Sequence, residues 1–308
     1  MAAKPHPVSV DDVKSGFVAL VGRPNAGKST LTNAIVGKKV SITSDTPQTT
    51  RQRLRAVLDR DDAQLVIVDT PGLHKPIDTL DEELNRSALK SLEDVDVVAM
   101  LVDATKPFGR GDEWVANHVA KTRAKRVLVI TKAELSTHVA IEKQIEDAKR
   151  FAEFDEVVPL SAVTGFNVET FVETVVKYLP QGPRWFPRDM SSDQSVEIMI
   201  AEFVREKILR TTRDEVPHAV GVIVDDMTYD DRKDLYSIWV VIYVERDSQK
   251  GIIIGKGGEA LKAVGTEARV DLERLLGAKV FLNLSVKVKK DWRRDASQIR
   301  RFGYGEGR

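Results

Sequence analysis

A phosphate-binding pattern stands near the start of this 308-residue sequence. It matches G-x-x-x-x-G-K-[ST] and reads Gly22-Arg23-Pro24-Asn25-Ala26-Gly27-Lys28-Ser29. An apolar strand-like run precedes it and a helix-like run beginning at Thr30 follows it. In that setting, backbone N–H groups and the positive end of a helix dipole bind phosphate. The pattern predicts nucleotide contacts over residues 22–30, with Lys28 at the β- and γ-phosphates and the Ser29 hydroxyl on Mg²⁺.

A second candidate segment, Asp69-Thr70-Pro71-Gly72, follows the apolar run 65–68. Its aspartate can hold the water shell of Mg²⁺, and the Gly72 N–H can face a γ-phosphate. Taken alone, the segment is typical of a turn at a strand end, but its place downstream of the phosphate loop favours a nucleotide site. The next residue, Leu73, also lies within reach of the nucleotide but cannot orient water as a glutamine would. Backbone groups, a mobile loop, a partner or a monovalent cation must then place the attacking water.

The polar segment Ser41–Arg51 lies between these two motifs. We predict a mobile loop that orders around the γ-phosphate and releases after hydrolysis. Thr50 is the first candidate for a Mg²⁺ ligand and Thr49 the second, so Lys28, Thr50 and Gly72 form the predicted catalytic set. Arg51 and Arg53 could act as an arginine finger, a group worth roughly 10³–10⁵ in rate, although solvated loop arginines are the alternative. We therefore expect slow turnover that a partner accelerates.

Two more polar segments follow later strand-like runs. They are Thr131-Lys132-Ala133-Glu134 and Ser161-Ala162. In open α/β sheets, ligands bind beyond the carboxyl ends of the strands. Both segments are therefore expected to belong to the same site as the phosphate loop.

Apolar strands alternate with helical stretches from Phe17 onward, which predicts an α/β domain with a mostly parallel sheet and helices on both faces. The predicted strands are Phe17–Val21, Leu65–Asp69, Val95–Val102, Val127–Ile130 and Val157–Pro159. The predicted helices are Ser29–Val36, Leu80–Leu92, Gly111–Lys121, Thr137–Phe151 and Asn167–Tyr178.

In this order and spacing, the five polar segments resemble the motifs of translation-factor-like GTPases. The resemblance implies that Lys132 packs on guanine and that the backbone of Ser161 and Ala162 meets the guanine oxygen. The family has an aspartate where this chain has Glu134. Because a glutamate carries the same two acceptors on a longer arm, we expect GTP binding with loosened discrimination. Asn25 matches the residue that ligates K⁺ in some relatives.

The alternation of strands and helices ends at a proline-rich stretch, residues 179–187, which we expect to pack as a linker. A predicted helix Ser195–Thr211 follows, then strand-like runs at Ala219–Asp225, Leu235–Glu245 and Lys250–Ile254, a helix Glu259–Leu276 and a strand Lys279–Lys289. The loop Gly255-Lys256-Gly257-Gly258 fits the G-x-x-G of a KH module, which clamps single-stranded RNA. Alone it is a weak signal whose alternative is a tight turn. Its setting predicts an α+β, type II KH domain whose RNA groove is also lined by Ile252, Ile253 and Ile254.

Composition and charge limit the kinds of site and partner that the chain can have. Lys plus Arg and Asp plus Glu each number 47, and cysteine is absent, which excludes disulfides and thiolate metal sites and fits a reducing cytosol. No run reaches the length of a membrane span. From Leu276 to Arg308, nine basic residues face three acidic ones. A solvated face is the usual explanation, but beside a KH-like loop an RNA phosphate track is better supported.

Together, the motifs are similar to those of the bacterial Era GTPases, in the TrmE-Era-EngA-like group. The resemblance implies a cytoplasmic, monomeric, Mg²⁺-dependent GTP/GDP-binding hydrolase that binds the 3′ region of 16S ribosomal RNA and the precursor 30S subunit, with peripheral membrane association. The expected boundaries are a lead-in over 1–15, a GTPase domain over 16–180, a linker over 181–194, a KH domain over 195–292 and a basic tail over 293–308. A non-catalytic RNA-binding scaffold is the alternative, and an ATP-dependent kinase is disfavoured.

Overall fold

The computed structural model describes residues 13–46, 49–73 and 76–304. Parts of the predicted lead-in, of the segments after residues 41 and 69, and of the basic tail lie outside these ranges. Within them, no helix is long and apolar enough to cross a membrane.

The first domain is built on a sheet in the order β2-β3-β1-β4-β5-β6, with β7 beside the start of β1. The strands are β1 Val13–Gly22, β2 Leu54–Asp59, β3 Ala63–Asp69, β4 Val97–Asp103, β5 Lys125–Thr131, β6 Glu156–Pro159 and β7 Gln181–Gly182. The helices are α1 Lys28–Val36, α2 Thr79–Lys90, α3 Arg110–Val119, α4 His138–Lys149 and α5 Val168–Tyr178. The pairings β1–β3, β1–β4, β4–β5 and β5–β6 are parallel, and β2–β3 and β1–β7 are antiparallel.

The sheet separates two apolar cores, so the prediction of a mostly parallel sheet with helices on both faces is confirmed. On one face, Leu20 and Leu65 pack with Phe171 of α5. On the other, Val21 and Met100 pack with Val115 of α3. This arrangement aligns the carboxyl ends of β1, β3, β4 and β5 along one edge of the sheet, where ligands of α/β domains bind.

Strand β2 was not predicted. It is the last strand in the sheet order, its outer side forms only an isolated bridge from Ala56 to Ser192 among the described residues, and it carries Arg55 and Asp59. Edge strands are half exposed and tolerate charge, so they lack the continuous apolar run of a buried parallel strand. Strand β1 also begins at Val13, so residues 13–15 of the predicted lead-in belong to the sheet.

The proline-rich linker packs against the first domain, as expected. The buried Arg184 guanidinium lies 3.0 Å from an Asp59 carboxylate oxygen. The Gln64 side-chain oxygen accepts the N–H groups of Trp185 and Phe186 at 2.7 and 2.9 Å. These contacts attach the chain to the outer strands before it enters the second domain.

The second domain places its long helices on one face of a three-stranded sheet, and its C-terminal segment covers part of the other face. Its elements are α6 Val196–Thr211, α7 Val216–Ala219, β8 Gly221–Asp230, β9 Leu235–Val244, α8 Asp247–Ile254, α9 Glu259–Leu276 and β10 Lys279–Val288. A short turn at Trp292–Arg294 and α10 Ala296–Arg301 follow. Strand β9 pairs in antiparallel with β8 and in parallel with β10, the arrangement expected of the predicted KH domain.

The strand-like run predicted at Lys250–Ile254 is wrong, because these residues lie in α8. The buried Gln249 side chain accepts the N–H groups of Glu245 and Arg246 at 2.9 and 3.0 Å and so caps this helix. A short apolar run cannot distinguish a strand from a buried helical turn.

Candidate active site

The phosphate loop joins β1 to α1 and lies against the turn that follows β3. Gly27 has φ of 89° and Asn25 has φ of 64°, both left-handed. Gly72 meets the loop so closely that a Cβ there would lie 2.7 Å from the backbone of Pro24, and Leu73 N–H donates to the Gly22 carbonyl at 3.2 Å. Only glycine fits at position 72, because any side chain would push these two segments apart.

The Lys28 ammonium lies inside the loop. It donates to the carbonyls of Gly22 and Arg23 at 3.1 and 3.0 Å. Burial lowers the pKa of Lys28 to about 8, and the charge of Asp69 opposes the shift. Phosphate oxygens beside this ammonium would replace the carbonyl dipoles with negative charge and restore its ordinary protonation.

The three predicted metal ligands converge next to Lys28. The hydroxyls of Ser29 and Thr50 are 2.8 Å apart, and Asp69 shares its hydrogen-bond network with Ser29 and Ser41. Burial raises the pKa of Asp69 above its ordinary value, although Lys28 and these hydroxyls oppose the rise. Its Oδ1 is buried without a hydrogen-bond partner in the described structure.

This donor set fits Mg²⁺, which prefers hard oxygen ligands and few protein groups. Among the described residues, no cluster of three His, Asp, Glu or Cys side chains could hold a metal ion. The hydroxyls of Ser29 and Thr50, with the unpartnered carboxylate oxygen of Asp69, therefore form the metal-binding candidate.

The other two segments meet beside the loop. Thr131 donates to the carbonyl of Ala26 at 2.9 Å, and Ala133 N–H donates to the carbonyl of Leu160 at 3.2 Å. Lys132 has a left-handed φ of 57°, and its ammonium lies 2.6 Å from an Asp103 carboxylate oxygen. Glu134 is exposed and forms no hydrogen bond or ion pair with any described residue.

A cavity of about 120 Å³ lies between the phosphate loop and residues 42–45 and 49–50. Its walls come from four of the five predicted segments, through Asn25, Lys28, Ser29, Thr50, Gly72 and Lys132. Glu134, Ser161 and Ala162 lie outside this lining. The structure thus brings the candidate phosphate-binding and metal-binding residues together. Lys132, the residue expected to pack on guanine, lies at the wall of the same cavity.

Several predicted contacts need correction. The side chain of Leu73 is fully buried in the core beside Val21 and Met100, and its N–H is bonded to the loop, so it is not placed to contact nucleotide. The side chains of Ala26 and Thr131 are buried too and hold the loop in shape. Arg23 reaches Asp112 of α3 at 2.9 Å, so only its backbone faces the loop.

Both interpretations of Arg51 are wrong. It is 1% exposed, and its guanidinium donates to the carbonyls of His218 and Val220 at 2.8 and 2.6 Å. Burial and the nearby Arg205 lower the pKa of Arg51 to about 10. Arg51 therefore contacts the second domain and is neither an arginine finger nor a solvated side chain.

The G-x-x-G loop has the backbone that its glycines predict. Gly255, Gly257 and Gly258 have φ of 72°, 62° and 84°. Lys256 is exposed at this turn and Ile252 is 53% exposed on α8. Ile253 is only 2% exposed and packs in the domain core, so its predicted contact with RNA is wrong, while the half-buried Ile254 packs against that core.

Sequence reasoning missed how residues 39–45 and 49–51 contact the second domain. Ile42 packs in the core of that domain. Glu206 of α6 accepts Thr43 N–H at 3.0 Å and pairs with Lys39, while the buried Arg205 donates to the Thr49 carbonyl. The residues in each of these hydrogen bonds and ion pairs lie more than 150 positions apart in sequence, so no local sequence pattern predicts the contacts. Asp103 could have been found, because it ends a buried strand at the ligand edge.

The depressed pKa of Lys28 leads to a first prediction. At pH 8.5, binding of GDP or GTP is expected to take up a substantial fraction of one proton per site, because phosphate raises the pKa of Lys28 from about 8 toward its ordinary value. Calorimetric titration in buffers of different ionisation enthalpy measures this uptake. It is expected to fall at pH 6.5 and to vanish in Lys28→Met, whereas Lys38→Met keeps it. Uptake that is the same at both pH values would contradict the assignment.

The lowered pKa of Lys28 also makes folding stability depend on pH, with the opposite sign to its effect on nucleotide binding. The unfolded chain binds the Lys28 proton up to pH 10.5, but the folded, nucleotide-free protein releases it near pH 8. Between these values the unfolded state holds more protons, so the contribution of Lys28 to folding becomes more favourable as pH rises.

Known proteins share both parts of this architecture. The chain matches the family model of the 50S ribosome-binding GTPase over residues 17–132 and that of the KH domain over residues 215–293. It is similar to Era crystallised with MgGDPNP and nucleotides 1506–1542 of 16S ribosomal RNA, with 39% identity, a TM-score of 0.92 and coverage of 96% of this chain and 100% of that one. A variant of Aquifex aeolicus Era bound to GDP and AlF4⁻ gives 39% identity, a TM-score of 0.91 and the same coverage. Because these relatives are 39% identical over nearly the full length of both chains, the chain belongs to the Era family of GTPases.

Proposed function

We propose that this protein binds GTP with Mg²⁺, hydrolyses it, and uses the nucleotide state to control binding of the 3′ region of small-subunit ribosomal RNA during 30S assembly. One observation supports this control of RNA binding by the nucleotide state. The described parts of the segment 41–51, residues 41–46 and 49–51, touch the nucleotide site through Ser41 and Thr50 and touch α6 of the second domain through Thr43 and Thr49. A change at the γ-phosphate therefore has a direct physical path to the RNA-binding domain.

Each side chain has a distinct task in the proposed reaction. Lys28 and the phosphate-loop N–H groups would neutralise charge on the β- and γ-phosphates, and the Gly72 N–H would face the γ-phosphate. Mg²⁺ held through Ser29, Thr50 and Asp69 would supply a further positive charge at the phosphates. Because the Leu73 side chain lies in the core, placing the attacking water falls to backbone of residues 41–51, to a K⁺ ion near Asn25, or to the RNA partner.

The coupling is tested by reciprocal binding. We expect RNA spanning 16S nucleotides 1506–1542, the segment bound by the relative, to bind more tightly with GDPNP than with GDP, and GDPNP to bind more tightly with RNA by the same factor. Substitution Arg205→Met is expected to bring this factor close to one, because the α6 contact with Thr49 is lost. Arg150→Met, on an exposed helix end, is the matched control. Equal RNA affinity with both nucleotides in the parent protein would contradict the switch.

Guanine selectivity is a separate prediction. In competition binding, Glu134→Asp is expected to raise the preference for GTP over ATP by about tenfold, because the shorter carboxylate restores the family geometry for the ring N–H and amino group. Glu142→Asp, on an exposed surface of α4, is the control. A parent protein that already rejects ATP by more than roughly 10⁴-fold and gains nothing from aspartate would show that the loop has adjusted to glutamate.

The non-catalytic scaffold is not favoured, because the phosphate loop, metal candidates and family membership agree with a GTP hydrolase. A cytoplasmic, monomeric state with peripheral membrane association belongs to the same proposal, and the cysteine-free sequence fits the cytoplasm. Phosphate release from GTP in the absence of an acceptor substrate separates hydrolysis from both the scaffold and the kinase alternatives.

A further inference from the structure

The sheet of the second domain has an outer face, turned away from α6 and α9, that is only half covered. Alternate residues of β9, among them Ile238 and Val240, pack in the core beneath the helices. On the opposite face, Val241 and Tyr243 are covered by Trp292, Phe302 and Tyr304 of the C-terminal segment. The remaining half of this outer face carries Trp239 and Phe281.

These two rings form an open aromatic pair. Their centroids are 6.4 Å apart with an interplanar angle of 67°, and Phe281 is 52% exposed. The Trp239 indole N–H has no hydrogen-bond partner among the described residues. Ser237 and Asn283, which pair with Phe281 and Trp239 across the two strands, place hydroxyl and amide groups beside the rings.

The charges around the pair are arranged along one strand. The outward row of β10 runs Lys279, Phe281, Asn283, Ser285, Lys287, with both lysines exposed. The lysines are eight residues apart, roughly 26 Å along an extended strand, and exposed Lys289 and Lys290 continue beyond them. Strand β8, on the far side of Trp239, instead presents Asp225 and Asp226. A polyanion would therefore follow β10 and avoid β8.

We propose that this outer face is a second RNA-binding surface, on which bases of a single strand stack against Phe281 and Trp239 while Lys279 and Lys287 meet its phosphates. Aromatic side chains on an open sheet bind single-stranded bases in this way with little sequence preference. Among the described residues the outer edge of β10 pairs with no other strand, and α8, which leads into the G-x-x-G loop, packs against β10. RNA leaving that loop would need only to cross this edge. The inference rests on the proposed RNA-binding function and adds a site to it.

The test compares two surfaces in the full-length protein. With labelled RNA spanning 16S nucleotides 1506–1542, Phe281→Ala is expected to weaken binding about five- to tenfold, the lower end of the stacking range for one base. Lys287→Gln is expected to reduce the slope of log affinity against log salt by about one. Gly257→Asp in the G-x-x-G loop is expected to weaken binding independently, so the double variant shows the product of the two effects. Val139→Ala, which truncates an exposed apolar side chain of the first domain, is the matched control.

Tryptophan fluorescence supplies a direct readout. RNA is expected to quench emission in the parent protein, and the quenched component is expected to disappear in Trp239→Phe although that variant retains its fold. Parent-like affinity in Phe281→Ala together with parent-like quenching in Trp239→Phe would overturn the second surface, while a defect in Gly257→Asp would leave the RNA-binding function standing. If Phe281→Ala instead lost binding to vesicles of phosphatidylglycerol and phosphatidylcholine and kept full RNA affinity, the face would be a lipid contact and the inference would fail. If the parent protein bound no RNA, both the proposed RNA-binding function and this inference would fail.

Discussion

Replacing Lys28 with methionine is expected to lower kcat for GTP hydrolysis by about two to three orders of magnitude, the usual loss when one preorganised charge donor is removed from a transition state. The methionine keeps the length and apolar stem of the side chain but removes the ammonium that lies within 3.1 Å of the Gly22 and Arg23 carbonyls. Because the γ-phosphate develops charge beside this ammonium, the loss is expected mainly in kcat. Steady-state phosphate release with saturating GTP measures it.

Lys38→Met is the control for this experiment, since Lys38 is exposed at the far end of α1 and its loss is expected to leave kcat unchanged. A nucleotide-binding assay on Lys28→Met separates a binding defect from a chemical one. Turnover within threefold of the parent would mean that Lys28 does not act at the phosphates and that the loop has another role.

Removing the buried carboxylate of Glu206 is expected to give the largest loss of stability in the interdomain contact. Glu206 is fully buried and pairs with Lys39, Lys207 and Arg210. Although burial opposes the shift, hydrogen bonds from Lys39 and Thr43 N–H hold the pKa of Glu206 below its ordinary value. In Glu206→Ala, Lys39 and Lys207 keep Asp271 as a partner, but the part-buried Thr43 N–H loses its acceptor. We expect a cost of about 1–3 kcal/mol, the usual penalty for an unsatisfied buried hydrogen-bonding group.

Urea unfolding followed by tryptophan emission measures this effect, because Trp292 lies buried where the domains meet. Glu142→Ala removes an exposed carboxylate that pairs with His138 at 3.2 Å and is expected to cost less than about 1 kcal/mol. The lowered pKa also sets a pH dependence: stability from Glu206 is present above its ordinary pKa and is lost as pH falls through the lower folded value. A cost below about 1 kcal/mol for Glu206→Ala would show that the network is solvated in solution.

The phosphate loop, the Asp69–Gly72 turn and the five main strands of the first domain could be read from sequence, because each depends on neighbouring residues. Gly27 and Gly72 are required by a left-handed backbone and by a close approach, and both requirements appear as glycine at a fixed spacing. Buried parallel strands likewise appear as apolar runs. Strand β2 was not predicted from sequence, because its pairing with β3 and not its own composition makes it a strand.

The local sequence of this protein specifies a nucleotide loop, a parallel sheet and a KH turn, because backbone conformation and apolar periodicity are short-range properties. The roles of Arg51, Ile42 and Glu206 depend on the packing of segments far apart in the chain. An arginine beside a threonine is equally compatible with solvent, with a phosphate or with the carbonyls of His218 and Val220, and only burial against the second domain selects among them. The coupling between nucleotide and RNA sites therefore lies in tertiary contacts, because desolvation and ion pairing act across space and leave no pattern along the chain.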